Sequence, residues 1–210
     1  MIFKDIFVEN GFPSLIAYSG ADLKDSLIRR TFNLDEVFFN DEYLWTYSDM
    51  GEIIENNKEM CFVVVNEDAG NIVGYSYWLP LKTQVIENAI KRNFNLIFLD
   101  QDCLQSFSDP EVNLNLASEA FIPGWDLKRL HKIIEDIIQY SILQLAKKGT
   151  KVNFVVMDNV CQYDEFLCDK LGLDNRYETD HNSKICYTTY SPTKCYSNSK
   201  YVEELKKYYK

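Results

Sequence analysis

An α/β fold of the α+β type, one domain built on a mixed sheet with helices around it, is predicted by three features of the sequence. Two apolar runs, Cys61–Val65 and Ile72–Leu79, flank the loop Asn66-Glu-Asp-Ala-Gly-Asn71 and read as an antiparallel hairpin. A strand–helix–strand–helix alternation fills residues 112–173, and such a crossover makes parallel neighbours. The chain has 210 residues, 46% apolar and 26% charged, which is an ordinary globular balance with enough length for a core of its own.

The elements follow in order. The first 60 residues read as mixed and mostly helical, with helices at Asp22–Arg30 and Asp41–Glu55. Pro80 has no N–H to give to a ladder, so the second hairpin strand should stop there. Thr83–Arg92 places Val85, Ile86, Ala89 and Ile90 on one side of a short helix. Val112-Asn-Leu-Asn-Leu-Ala117 alternates and reads as a half-buried strand. From Asp126 to Lys148, apolar residues recur at three- and four-residue steps (Leu127, Leu130, Ile133, Ile134, Ile137, Ile138), with Asp126 suited to the N-cap and Gly149 to the C-terminal stop. Val152–Met157 reads as a buried strand, Tyr163–Leu171 as a helix ending at Gly172, and Lys184–Tyr190 as a closing β segment. Residues 1–190 are expected to form the domain, and 191–210 a polar tail with a short helix near Tyr201, Leu205 and Tyr208.

Several function classes drop out. With 22 Lys+Arg against 32 Asp+Glu the net charge is −10, which argues against a nucleic-acid surface. No apolar run is long enough for a membrane span. Met1–Asn10 lacks the basic-then-apolar pattern of a signal peptide, and the six cysteines show no tight repeating spacing, so the expectation is a cytoplasmic protein with free thiols. His131 and His181 have no partner at metal-ligand spacing, which predicts no metal site. Neither a Gly-x-Ser-x-Gly elbow nor a phosphate loop ending in Gly-Lys-Ser/Thr is present.

The order of elements and three local matches resemble the GNAT acyltransferase family over roughly Met60–Tyr190. Ser118-Glu-Ala-Phe-Ile-Pro123 is similar to the family strand that reads Ser-x-Ala-Val-x-Pro before the phosphate loop. Cys168-Asp-Lys-Leu-Gly-Leu173 is similar to Tyr-Glu-Lys-Leu-Gly-Phe. Gly74-Tyr with Pro80-Leu81 and a helix after it resembles a bacterial branch of the family. The resemblance implies two splayed strands at the centre of the sheet and acyl transfer from acetyl-CoA to a small-molecule or peptidic primary amine. It also implies a pyrophosphate at the start of the long helix, where orphan N–H groups and the helix dipole favour an anion. On the family pattern the cofactor would meet Ala120, Phe121, Ile122, Trp125, Asp126, Leu127, Lys128, Arg129 and Asn159, with a backbone amide near Phe121 or Ile122 holding the oxyanion.

The phosphate loop itself departs from the family. Asp126 stands where Arg or Gln is usual, and Leu127, Arg129 and His131 stand where small residues are usual. Two readings follow. In one, Lys128, Arg129, His131 and Lys132 rebuild an anion site from side chains. In the other, Asp126 is a helix cap and the cations are balanced by Glu135 and Asp136 at helical spacing. The candidate acid–base groups are Glu119, either a base or a solvent-facing strand residue, then Cys168 at the family tyrosine position, and Tyr163 at the start of the same helix. Asp35, Glu36, Asp41 and Glu42 head a stretch of eight carboxylates and one lysine (35–59) that would draw a cationic amine. The alternative function is a non-catalytic GNAT-fold protein, with a decayed cofactor site, that binds a ligand or partner. No interface is marked, so an oligomer is left open. Cys161 and Cys168, seven apart, fit one helical face, but one pair is thin evidence for redox work.

Overall fold

The computed structural model describes residues 1–38, 46–91, 96, 99–159, 162–179 and 183–209, the side chains of 35–38 and 162–164 excepted. The chain divides into two units, 1–78 with 118–137 and 79–117 with 138–210. Eight strands lie among the described residues, some paired antiparallel and some parallel.

The first unit opens with β1 (Ile2–Phe3), α1 (Asp5–Glu9), β2 (Leu15–Ser19), α2 (Asp25–Phe38) and α3 (Tyr47–Asn56). It continues with β3 (Cys61–Asn66) and the start of β4 (Asn71–Leu81), and it holds the end of β5 (Glu111–Phe121) and the first half of α5 (Leu127–Lys147). β1–β2, β2–β3 and β3–β4 are antiparallel, with Ile2 opposite Tyr18, Ala17 opposite Val64 and Val63 opposite Tyr75. The start is mixed and mostly helical, as expected; the strands β1 and β2 are what the sequence reading did not place. Leu15, Ile16 and Ala17 are all buried, so β2 has none of the alternation that marks a strand. The helix expected at Asp22–Arg30 begins later, at Asp25, because Gly20–Asp22 forms a 3-10 turn. In the stretch expected as Asp41–Glu55, 41–45 lie outside the described residues and the helix begins at Tyr47. There the Thr46 N–H donates to Asp49 Oδ2 at 3.1 Å in a capping box. Phe7, Leu15, Ile28, Ile54, Phe62, Trp78 and Ile133 are at most 1% exposed and make the core. Each contributes roughly 1.5–3 kcal/mol by burial.

The second unit takes the end of β4, α4 (Thr83–Ile90), most of β5 and the rest of α5. It adds β6 (Lys151–Asn159), α6 (Gln162–Leu171), β7 (Asn175–Glu178), β8 (Lys184–Thr189) and α7 (Val202–Leu205). β5 and β6 run parallel, as the crossover predicts, and their ladder ends at Leu116 opposite Met157, before the last residues of either strand. β4 continues one residue past Pro80. The Pro80 carbonyl accepts from Gln105 N–H at 2.9 Å and Leu81 bridges Leu104, and these contacts carry the strand past the proline. β5 is not half-buried as its alternation predicts: Asn113 and Asn115 are each 2% exposed. Asn113 is accommodated because its Nδ2 donates to Leu81 O at 3.0 Å and Thr83 Oγ1 at 3.1 Å. β7 escaped the sequence reading because all four residues are exposed at the sheet edge. The tail is packed into this unit: Cys195 and Leu205 are fully buried, and Tyr209 Oη accepts from Val152 N–H at 2.8 Å. Among the described residues no helix is long and apolar enough to cross a membrane.

Candidate functional site

In the first unit, the end of β5 and the first turns of α5 bring together most of the residues singled out by sequence. Strand alternation sends Ser118 and Glu119 to opposite faces. Ser118 Oγ lies 3.0 Å from Tyr75 Oη on β4. Glu119 turns the other way and meets His131, with its Oε1 3.5 Å from Nδ1. The two residues are only 5% and 7% exposed, which corrects the reading of Glu119 as a solvent-facing strand residue. Phe121, on the same face as Glu119, presents its ring edge-on to the imidazole at 5.4 Å. A carboxylate and an imidazole buried together need each other, since either alone would lose water without compensation.

Gly74 explains how β5 reaches this position. A Cβ at residue 74 would lie 2.1 Å from Phe121 Cδ1 and 2.7 Å from the Ala120 carbonyl oxygen. Only glycine allows that approach. The Ile122 N–H donates to Val73 O at 2.8 Å, so this amide, one of the two expected to hold an oxyanion, is committed to β4. Alternation points the Phe121 N–H to the opposite edge.

At the helix start, Asp126 is the N-cap: its Oδ1 accepts the Arg129 N–H at 3.2 Å and its carbonyl accepts Leu130 N–H at 2.9 Å. Arg129 is occupied as well. Its Nη2 donates to Asn10 O, and its guanidinium lies 5.0 Å from the Phe12 ring centroid. Phe12 in turn leans on Trp125 at 6.2 Å. Lys132 sits 3.7 Å from Glu135 and 3.5 Å from Asp136, the balanced-face reading of these charges. Lys128 is an exposed cation in the first turn. Replacing the cap, Asp126→Ala, is expected to cost about 0.5–2 kcal/mol of stability, read by chemical denaturation. The same change removes a negative charge from the mouth of the helix.

Asn159 and Cys168 fall in the second unit. Asn159 Nδ2 donates to Cys168 Sγ at 3.8 Å. The neighbouring Cys186 thiol on β8, followed by burial, pushes the Cys168 thiol far above its ordinary range, so it keeps its proton at neutral pH. Tyr163 belongs to α6 but its side chain is outside the described residues. The same holds for Asp35 and Glu36, whose backbone lies in α2, and for Asp41 and Glu42 altogether. Elsewhere in the acidic stretch, Asp49 is used by the α3 cap, and Glu55 accepts from the Tyr47 hydroxyl. His181 lies outside the described residues, among which no group of three His, Cys, Asp or Glu could hold a metal.

Sequence reasoning missed His131 as the partner of Glu119, because a strand-to-helix contact has no spacing signature. It missed Tyr75 because a contact between strands far apart in the chain leaves no local pattern either.

No family model matches the sequence, and no curated protein does. Solved structures do match. The chain is similar to Ard1 from Thermoplasma volcanium, with 11% identity, 84% of this chain and 97% of that chain covered, and a TM-score of 0.52. It is similar to the loading GNATL domain of CurA from Lyngbya majuscula, with 16% identity, 72% and 68% covered, and a TM-score of 0.50. At these identities the likeness is one of fold.

Proposed function

We propose that this chain, which has the GNAT fold, is an N-acetyltransferase that uses acetyl-CoA to acylate a cationic primary amine. The observation that carries this reading is the buried Glu119–His131 pair, at the end of the strand that leads into α5. A soluble protein gains little from burying such a pair for stability alone. A base held out of water, beside an imidazole that fixes its orientation, suits removal of a proton from an attacking amine.

Acetyl-CoA, when bound, supplies the activated thioester. The chain's residues do the rest in this reading. The orphan N–H groups that open α5 and the Lys128 ammonium favour its phosphates. Asp126 opposes them, because its carboxylate already takes one of those donors. Glu119 accepts the amine proton and His131 holds the carboxylate in place. Phe121 keeps water from the pair. The acidic residues of the Asp35–Glu59 stretch concentrate the cationic acceptor.

Calorimetric titration with acetyl-CoA, with desulfo-CoA as the check against thiol reaction, tests this. Saturable binding followed by thiol release on adding amines is expected. Arg129→Glu should weaken that binding by exchanging a cation for an anion at the helix mouth. Unchanged affinity would show that Arg129 only fastens the Asn10–Phe12 segment.

A second reading rests on a specific observation. The helix start is filled from within the chain, by the Asp126 cap and by Arg129 on Asn10. A non-catalytic module would keep those contacts for stability. It predicts no acetyl-CoA binding in the titration, and it gives the acidic stretch a binding role toward other ligands.

A further inference from the structure

In the second unit β7 pairs with β8 along one side, and all four β7 residues are exposed. Among the described residues no strand pairs with its other side. Asn175 is opposite Tyr187, Arg176 opposite Cys186, Tyr177 opposite Ile185 and Glu178 opposite Lys184. The register continues past the strand, where the Thr179 N–H donates to Ser183 O at 2.9 Å. On β8 the alternate positions turn to β6, since Tyr190, just past its end, donates to Asn153 O at 2.7 Å. Backbone groups in an antiparallel ladder point alternately to one neighbour and the other. Asn175, Tyr177 and Thr179 therefore turn their N–H and C=O groups toward β8. Arg176 and Glu178 turn theirs outward.

Such an edge is a template for another strand. Two copies of β7 can pair antiparallel when outward residues meet outward residues. Three overlapping alignments do this: Arg176 on Arg176, Glu178 on Glu178, or Arg176 on Glu178 twice over. The first two set like charges directly opposite, which destabilises a strand pair. The third makes two pairs of opposite charge, and its axis passes through Tyr177. Tyr177 would then meet its own twin in a non-hydrogen-bonded pair, where side chains approach most closely. Its ring is 40% exposed and already stacks on Tyr187, with centroids 5.8 Å apart and 17° between planes. Arg176 is held at 2.5 Å by Glu165 and 3.0 Å by Asp169, so less ordering is left for a partner to impose. Its guanidinium has donors left for a third carboxylate.

We propose that the chain pairs with a second copy of itself through β7, the two strands antiparallel about a twofold axis at Tyr177. The contact is isologous: Arg176 of each copy meets Glu178 of the other. Charges on a strand edge usually keep neighbours off. One of each sign at the two outward positions does the reverse for an identical strand. Four residues a side bury little area, so the dimer is weak and reversible.

The test is sedimentation velocity from micromolar to millimolar protein, where a concentration-dependent monomer–dimer equilibrium is expected. Glu178→Arg leaves the contacts of Arg176 with Glu165 and Asp169 in place but sets arginines opposite one another. It should raise the dissociation constant at least tenfold, and adding Arg176→Glu should bring the dimer back. A covalent readout checks the register. The Cα atoms of a non-hydrogen-bonded pair lie about 4.5 Å apart, within disulfide reach, so Tyr177→Cys should cross-link under mild oxidation. Twin cysteines in Glu178→Cys would sit on a diagonal of roughly 7–8 Å, beyond that reach, and should link no more than the wild type. The wild type controls for native thiols, Cys161 among them, a residue outside those described. Circular dichroism shows whether each variant folds; where the double variant does not, Tyr177→Cys decides. A monomer throughout the series, a dimer untouched by Glu178→Arg, or no excess of cross-link in Tyr177→Cys overturns the proposal. Acetyl-CoA plays no part in these readouts, so they stand apart from the catalytic reading.

Discussion

Gly74→Ala is expected to destabilise the protein by about 3 kcal/mol, at the upper end of overpacking costs. For a chain of this length that corresponds to a fall in Tm of roughly 6–12 °C, read by thermal circular dichroism. The added methyl would lie 2.1 Å from the Phe121 ring and 2.7 Å from the Ala120 carbonyl oxygen. A ring can rotate away, but a carbonyl in a strand cannot move without its ladder. Adding Phe121→Ala should therefore recover only part of the loss. An unchanged Tm in Gly74→Ala would contradict the close approach of β4 and β5 at this point.

Glu119→Gln is expected to lower kcat by about 10²–10⁴-fold, the range for a positioned acid–base group. The amide keeps the shape and can still bond the imidazole, so the fold and acetyl-CoA affinity should hold. The split between kcat and affinity is informative: a residue with only a structural role would show its loss in Tm instead. Full turnover in a folded Glu119→Gln protein would remove Glu119 from the chemistry.

The long amphipathic helix, the hairpin and the crossover were legible because their patterns are local. Leu130, Ile133, Ile134 and Ile137 recur at helical spacing, and the caps at Asp126 and Gly149 stand where the chemistry of helix ends requires. β2 was not legible, since a strand buried on both faces has no alternation, and β7 was not, since an exposed edge has no apolar signal. The site divides along the same line. Glu119 could be named from its strand, but its burial depends on His131, twelve positions on, and on a helix folding back over β5. The cations of α5 were visible as a cluster. Their partners were only half visible: Glu135 and Asp136 lie at helical spacing from Lys132, whereas Asn10, the partner of Arg129, lies in another part of the chain.

The tilted contact of Trp125 with Phe12, next to the capped mouth of α5, has an optical consequence. Indole emission responds to charge and solvent within a few ångströms. Trp125 is half-exposed there, whereas Trp78 is 1% exposed, with its Nε1–H committed to Ser76 Oγ at 2.9 Å. The chain thus carries an intrinsic fluorophore where an anion would arrive, and another in the core that reports on unfolding. With Trp45, which lies outside the described residues, replaced by phenylalanine, ligand occupancy and global integrity can be followed by colour in one cuvette, without a label.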